Sequence, residues 1–170
     1  MTMVEIGSFA GESTEVFSRY LGQVIAVDPW DASYEEDVLL GCNAGSMRDY
    51  IVASGLSPMS EIEKLFDART SHAKNVTKVK AFDHDALSQF EDECIDFLYI
   101  DSIHTYEHVK ETISRWMPKL RCNGIMGGHD YSEKNWAGVV SAVDEAFGKP
   151  DAVFEDTSWI VRGARLRIRG

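Results

Sequence analysis

The chain has 170 residues, of which 17 are Lys or Arg and 28 are Asp or Glu, so its formal net charge is −11 at pH 7. This length favours a single domain that buries about two-thirds of its surface on folding. The acidity and the lack of a basic cluster argue against a nucleic-acid partner and against an anionic membrane surface. Because there is neither a run of about 18 apolar residues nor a signal sequence, we expect a cytoplasmic protein without a membrane partner.

Short apolar runs punctuate the chain, and their nearly continuous apolar character is typical of strands covered on both faces. The four clearest runs are residues 3–6, 24–28, 95–101 and 124–128. Three weaker candidates are residues 77–82, 151–154 and 159–162. The last two lie close enough along the chain to predict a hairpin near its end.

Helical periods separate the strand-like runs. The first is predicted to start at an N-cap on Ser13 and to stop at Gly22, with Val16, Phe17, Tyr20 and Leu21 on its apolar face. The second starts at Thr105 and carries Val109, Ile113, Trp116, Met117 and Leu120. The third carries Trp136, Val139, Val140, Val143 and Phe147, and ends at Gly148. Because strands and helices alternate, the sequence predicts an α/β fold: a Rossmann-like, doubly wound, mostly parallel sheet with helices on both faces.

Residues 32–71 depart from this alternation. The segment is too long for one connection and rich in Gly, Ser and Asp. We expect it to hold one or two helices, at residues 47–54 and 60–70, over or beside the functional site. We expect this segment to be a variable helical insertion or lid within one domain that spans residues 1–170.

A glycine-bracketed turn follows the first predicted strand, in the sequence EIGSFAGEST of residues 5–14. Gly7 and Gly11 would let backbone N–H groups approach a ligand at a helix N-terminus. The turn is neither a dinucleotide fingerprint, since Phe9 and Glu12 stand where glycine is expected, nor a P-loop. Glu12 would repel a pyrophosphate, so a cationic or neutral ligand fits better. The alternative is a purely structural turn.

Asp28 ends the second predicted strand, about twenty residues after the first glycine, where a carboxylate accepts hydrogen bonds from a ribose diol. The alternative is a loop Asp that caps backbone groups before Pro29. Together, the glycine turn and Asp28 indicate a ligand that contains a nucleoside.

These residues resemble the class I S-adenosylmethionine-dependent methyltransferases. Residues 5–14 resemble their first motif, and residues 27–30 (VDPW) resemble the end of their second strand. Two further motifs narrow the resemblance to the small methyltransferase 24 branch. They are Asp-x-x-His-x-Tyr, which begins at Asp101, and Gly-His-Asp-Tyr, which ends at Tyr131.

The resemblance implies a seven-stranded sheet in the order 3-2-1-4-5-7-6, with strand 7 antiparallel, and S-adenosylmethionine as the cofactor. Gly7 and Gly11 would approach its methionine part, Asp28 its ribose, and Phe82, Asp83 and His84 its adenine. The full set of cofactor-binding residues that we predict is Glu5, Gly7, Ser8, Gly11, Ser13, Asp28, Phe82, Asp83 and Asp101. Many family members carry a segment before the first strand that helps to close the site. Here we expect residues 32–71, or a second copy of the chain in a homodimer, to do so.

Two Asp–His pairs follow the fourth and fifth predicted strands, and two chemistries fit them. In the first, Asp101, His129 and Asp130 hold one divalent metal. Related sugar and macrolide O-methyltransferases use carboxylates with magnesium there, and the histidine that replaces one carboxylate moves the preference towards manganese or iron.

In the second chemistry there is no metal. His104 or His129 is the general base for a substrate hydroxyl, and Asp101 or Asp130 orients the ring. The catalytic residues we predict are therefore Asp101, His104 and His129. In the structural alternative, His104 only braces the next helix and the 129–130 pair only satisfies loop backbone groups. We expect His72 and His108 to be solvated.

The leading hypothesis is thus a methyltransferase that acts on a small hydroxylated molecule, such as a sugar or a secondary metabolite, by O-methylation. One alternative is a nicotinamide-dependent dehydrogenase, against which the absent third glycine counts. The other is a non-catalytic module of the same fold that binds a nucleoside or joins an assembly.

Overall fold

The computed structural model describes residues 1–31, 39–41, 45–46 and 58–163. Its strands are β1 (Thr2–Ile6), β2 (Gln23–Asp28), β3 (Leu39–Gly41), β4 (Gly45–Ser46), β5 (Val76–Lys80), β6 (Ile95–Ile100), β7 (Leu120–Gly128), β8 (Ala152–Val153) and β9 (Trp159–Arg162). Its α-helices are α1 (Glu12–Ser18), α2 (Met59–Thr70), α3 (Asp83–Ala86), α4 (Tyr106–Trp116) and α5 (Ala137–Phe147). Strands and helices therefore alternate along most of the described chain.

Seven strands form one sheet in the order β5-β2-β1-β6-β7-β9-β8, and β3 and β4 form a separate antiparallel pair. Numbered along the chain within the large sheet, this order reads 3-2-1-4-5-7-6. The five strands from β5 to β7 are parallel, whereas β9 runs antiparallel to both of its neighbours. The fold class and the strand order that we expected are confirmed. The carboxyl ends of β1, β2, β6 and β7 consequently meet at one edge of the sheet.

The central strands are buried because helices cover both faces of the sheet. Along β1 the side chains alternate between the faces: Val4 and Ile6 pack with α4 and α5, whereas Met3 packs with Phe17 of α1. On that second face, Ile62 and other residues of α2 form a cluster of their own. Burial on both faces explains why these strands read as continuous apolar runs.

The first helix differs from its prediction. It begins at Glu12 after an N-cap on Gly11, not at Ser13, because the backbone of Gly11 has φ +80° and turns the chain earlier. Its apolar stripe is also narrower than predicted, with Val16 50% and Tyr20 82% exposed. A helix of only two turns lays few side chains on the sheet.

The other elements lie close to their predictions. Thr105 caps α4 by accepting the backbone N–H of His108 at 3.3 Å, and the predicted apolar stripe of α5 is buried from Val139 to Phe147. Helix α2 matches the predicted helix at 60–70, whereas the one predicted at 47–54 lies outside the described residues. None of the helices in the described ranges is long and apolar enough to cross a membrane. The domain boundaries stay a prediction.

Candidate active site

A cleft of about 510 Å³ opens at the edge where the strands end. Its walls come from the segments that directly follow β1, β2, β6 and β7, with additions from Met59 at the start of α2 and Asp83 at the start of α3. This is the position at which open α/β sheets bind their ligands. Six of the nine predicted cofactor-binding residues line the cleft: Gly7, Ser8, Ser13, Asp28, Asp83 and Asp101.

Gly7 joins the first turn to the end of β6. Its backbone has φ +89°, and a Cβ atom placed on it would lie 2.0 Å from the carbonyl oxygen of Asp101. No other residue type fits there without moving the chain. The glycine turn and Asp101 are therefore in direct contact, on the same wall of the cleft.

Gly11, which was expected to approach the cofactor, lies outside the cleft wall. Its N–H donates to the Ser8 carbonyl at 2.7 Å, and an added Cβ would lie 2.9 Å from the ring of Phe66. Its lack of a side chain serves the turn and the close packing of α2. Phe82 also stands outside the cleft wall, with its ring stacked on His84 at 5.6 Å.

Asp28 fastens the glycine turn. Its two carboxylate oxygens accept the backbone N–H groups of Phe9 at 3.0 Å and Trp30 at 2.8 Å. The side chain is buried, which raises its pKa, although these hydrogen bonds act in the opposite direction. Asp28 also lines the cleft. It therefore caps backbone groups and faces the ligand position at once, although the sequence analysis treated these two roles as alternatives. Trp30 packs against Phe66 at 4.8 Å and is not part of the cleft wall.

Glu5 lies beneath the turn and does not line the cleft. It is fully buried in the middle of the sheet, and the hydroxyl of Thr14 donates a hydrogen bond to it. Burial raises the pKa of Glu5 to about 7, against the opposing effect of nearby hydroxyl groups. In this position Glu5 supports the first turn, and its contact with a cofactor stays a prediction.

His108 is a cleft residue that the sequence analysis missed. Its Nε2 atom lies 3.2 Å from Ser102 Oγ and 3.9 Å from Asp83 Oδ2, and all three residues line the cleft. The Asp83 carboxylate also accepts the hydroxyl of Thr112 at 2.9 Å. Burial lowers the pKa of His108. The expectation of a solvated side chain was wrong, because the first turn of α4 faces the cleft; its position four residues after His104 was the available signal.

The four residues Asp101, His104, His129 and Asp130, called here the strand-end cluster, all line the cleft. His104 is at its centre: its Nε2 atom lies 2.7 Å from Asp130 Oδ2 and 3.6 Å from Asp101 Oδ1. The oxygen of Asp130 lies off the direction of the ring N–H, so this contact is an ion pair, not an aligned hydrogen bond. The His104 ring packs on Trp136 at 4.4 Å, and His129 Nδ1 lies 3.2 Å from Asp130 Oδ1.

The carboxylates set the charge of this cluster. Burial alone would lower the pKa of His104, but the adjacent Asp101 and Asp130 outweigh it and raise the pKa to about 9. For Asp130, burial acts to raise the pKa, yet the two histidines hold it well below its usual range. The contact with Asp130 also raises the pKa of His129. At neutral pH the cluster thus contains an imidazolium between carboxylates.

A set of metal donors is present, but it is not the predicted one. Donor atoms of Asp101, His104 and Asp130 lie within 4.8 Å of one another, whereas His129 stands outside this group. Separations of 2.7 and 3.6 Å are those of ligands around an ion at about 2.1 Å from each. Two carboxylates and an imidazole suit a divalent cation, which would have to displace the proton of His104. The donor set therefore fits, with His104 in the place predicted for His129.

The strand order, the glycine turn after β1 and the acid at the end of β2 define a Rossmann-like class I fold of the S-adenosylmethionine-dependent methyltransferases. The chain belongs to the methyltransferase 24 family, whose model, described as a methyltransferase domain, matches residues 4–131.

Solved structures share this fold at low sequence identity. The O-methyltransferase NovP is 16% identical, with a TM-score of 0.62 over 95% of this chain and 71% of that one. A SAM-dependent methyltransferase from Aquifex aeolicus is 14% identical, with a TM-score of 0.58 over 95% and 80%. The N-methyltransferase NodS from Bradyrhizobium japonicum is 13% identical, with a TM-score of 0.55 over 95% and 85%.

In three other matched structures, the chain spans between 22% and 62% of the protein's length. A search of curated protein sequences gave no match.

Proposed function

We propose that the protein transfers the methyl group of S-adenosylmethionine to a hydroxyl group of a small molecule. One observation carries the proposal: Gly7 is in contact with Asp101, so the glycine turn and the strand-end cluster form one cleft. Family membership supports the cofactor. The net charge of −11 supports a small acceptor over a nucleic acid. The O-methyltransferase NovP matches with a higher TM-score, 0.62, than the N-methyltransferase NodS, 0.55, and this favours oxygen as the methylated atom.

In this proposal the cofactor lies across the sheet edge. Its methionine part lies along Gly7 and Ser8, its ribose at Asp28 and its adenine at Asp83, all of which line the cleft. Each oxygen of Asp28 already accepts one backbone N–H, and a carboxylate oxygen has a second lone pair for a ribose hydroxyl.

The proposed chemistry is an in-line displacement. The acceptor oxygen attacks the methyl carbon, the carbon–sulfur bond breaks, and its electron pair leaves with sulfur as a neutral thioether. The hydroxyl proton goes to the carboxylate of Asp101. His104 keeps its own proton at neutral pH, since its pKa is raised to about 9, and so it pairs with Asp130 and orients the cluster instead of acting as the base. Most of the rate enhancement then comes from alignment.

A metal-assisted route is the second candidate, and the donor set of Asp101, His104 and Asp130 favours it. These three residues would hold a divalent cation, and the chemistry it would supply there is Lewis acidity that favours the ionised form of the acceptor hydroxyl. A titration with Mn²⁺, followed by calorimetry and repeated on a His104→Gln variant, tests this route. Loss of Mn²⁺ binding in the variant supports it, whereas binding that does not need His104 contradicts this donor set.

Calorimetric titration with S-adenosylhomocysteine, followed by a methyl-transfer assay on a panel of hydroxylated small molecules, tests the main proposal. We expect micromolar binding. The variant Asp101→Asn should keep the affinity for S-adenosylhomocysteine within a few-fold but lose about a hundredfold or more in turnover. Binding of a nicotinamide dinucleotide in place of S-adenosylhomocysteine would favour the dehydrogenase. Binding without turnover on any acceptor would favour the non-catalytic module.

A further inference from the structure

Negative charge is in excess among the side chains that line the cleft. Five carboxylates face it, from Glu12, Asp28, Asp83, Asp101 and Asp130. Among the described residues that line it there is neither Lys nor Arg; the three remaining ionisable side chains are histidines. A cavity with an excess of one sign of charge concentrates ligands of the opposite sign.

Most of these carboxylates have partners within the protein. Glu12 pairs with Arg69 at 3.0 Å, Asp28 accepts two backbone N–H groups, and Asp83 accepts the hydroxyl of Thr112. Asp130 has both His104 and His129 as close neighbours. Each of these four carboxylates thus has a hydrogen-bond donor or a cationic side chain of the protein close to it.

Asp101 is the exception. Its ion pair with His104 is long, at 3.6 Å, and His104 lies closer to Asp130, at 2.7 Å. By distance, Asp101 is thus the less closely paired of the two carboxylates. The side chain is 31% exposed, so its charge is open to the cleft.

Asp101 also lies next to the position that the proposed function gives to the methyl group of S-adenosylmethionine. Its carbonyl oxygen is the atom that a Cβ on Gly7 would meet, so the glycine turn and Asp101 face the same part of the cleft. In an in-line displacement, sulfur, methyl carbon and acceptor oxygen lie in a row with the reacting atoms about 3 Å apart. The sulfur is then about 6 Å from the group that takes the acceptor's proton.

We propose that Asp101 makes the cleft selective for a positive charge on the cofactor, so that sulfonium S-adenosylmethionine binds more tightly than its neutral thioether product. This inference rests on the proposed function. Two unit charges about 6 Å apart, with an effective dielectric constant between 20 and 80, give a preference between about threefold and a hundredfold, and we expect roughly tenfold. The product S-adenosylhomocysteine leaves readily as a result, and it inhibits the enzyme only weakly.

Calorimetry at pH 8 with a chelator tests the selectivity on three ligands: S-adenosylmethionine, its amine analogue, in which an ammonium group replaces the sulfonium, and S-adenosylhomocysteine. In the wild-type protein both cations should bind about tenfold more tightly than the thioether. Asp101→Asn should remove this preference. The matched control Asp83→Asn changes a carboxylate of the same cleft, and all three affinities should fall together at an unchanged ratio.

A wild-type protein that binds the thioether as tightly as the cations would overturn the proposal, and so would an Asp101→Asn variant that keeps the preference. Where that variant does not fold, the wild-type ratio is measured at 20 and 500 mM NaCl. A preference due to charge shrinks with salt, whereas one due to the fit of the methyl group stays constant and overturns the proposal. If none of the three ligands binds, it is the proposed function that fails.

Discussion

Glu5 provides a test of how the fold treats a charge in the middle of its sheet. The carboxyl group is fully buried, and its pKa is raised from the ordinary 4.5 to about 7. The folded state therefore binds a proton that the unfolded chain has released. The stabilisation is complete below pH 4.5, the ordinary value, and is lost as the pH rises through about 7. A pKa difference of about 2.5 corresponds to about 3 kcal/mol of unfolding free energy.

The variant Glu5→Gln removes this titration and keeps the shape of the side chain. Between pH 5 and pH 8, the unfolding free energy of the variant relative to that of the wild type should rise by about 2 to 3 kcal/mol. Urea unfolding followed by circular dichroism at four pH values in this range measures the difference. Because both proteins share every other titrating group, subtracting one curve from the other isolates Glu5.

The matched control is Glu12→Gln in the same turn. The side chain of Glu12 is 79% exposed and pairs with Arg69 at the surface, so its stability curve should run parallel to that of the wild type. The reasoning about Glu5 is refuted if the Glu5→Gln curve also runs parallel to the wild-type curve. The fold would then hold Glu5 ionised, with its charge stabilised by the hydroxyl groups around it.

Three further substitutions test the construction of the cleft. Gly7→Ala puts a Cβ atom 2.0 Å from the carbonyl oxygen of Asp101 at a positive φ, and should cost at least about 2 kcal/mol in urea unfolding. Asp28→Asn leaves one of two buried backbone N–H groups without its acceptor, and should cost about 1 to 3 kcal/mol and weaken the calorimetric affinity for S-adenosylhomocysteine. Gly138→Ala puts a Cβ atom 2.8 Å from the carbonyl oxygen of His104, and should lower turnover more than cofactor affinity.

Gly22→Ala is the control for the two glycine substitutions, because its added Cβ would meet only ordinary contacts at 3.4 Å. Its stability and its affinity should match those of the wild type. A Gly7→Ala protein of unchanged stability would show that the first turn can move away from β6. A Gly138→Ala protein with unchanged turnover would show that the loop of His104 is not held by α5.

Much of the fold was predictable because both of its periodicities are strong. Strands buried on both faces cannot alternate, so β1 and β6 were visible as apolar runs within one or two residues of their bounds. Their carboxyl ends then located Gly7 and Asp101 on one sheet edge. The first helix was less predictable, because its start depends on the positive φ of Gly11. Glycine adopts positive and negative φ about equally readily, so the sequence does not show which one occurs.

The sequence predicted which acidic and histidine residues of the strand-end cluster line the cleft, but not which of them pair with one another. Sequence placed Asp101, His104, His129 and Asp130 after adjacent strands, and the structure brings all four to the cleft. Which histidine comes between the carboxylates depends on side-chain directions that strand order does not specify. The position of His108 in the cleft could not be predicted for the same reason, because the packing of α4 decides which side chains of its first turn face the cleft.

Packing also decides the part of His104 in the proposed reaction. The loop that carries it is fixed at the Thr105 cap, and Gly138 allows the start of α5 to approach it closely. Held there between two carboxylates, the imidazole retains its proton at neutral pH, because its pKa is raised to about 9. A general base must be free of its proton before the reaction. Residue type alone would favour His104 as the base, but in the proposed reaction His104 compensates the charge of Asp130. Asp101, which is less closely paired, is then the group that can accept a proton from the substrate.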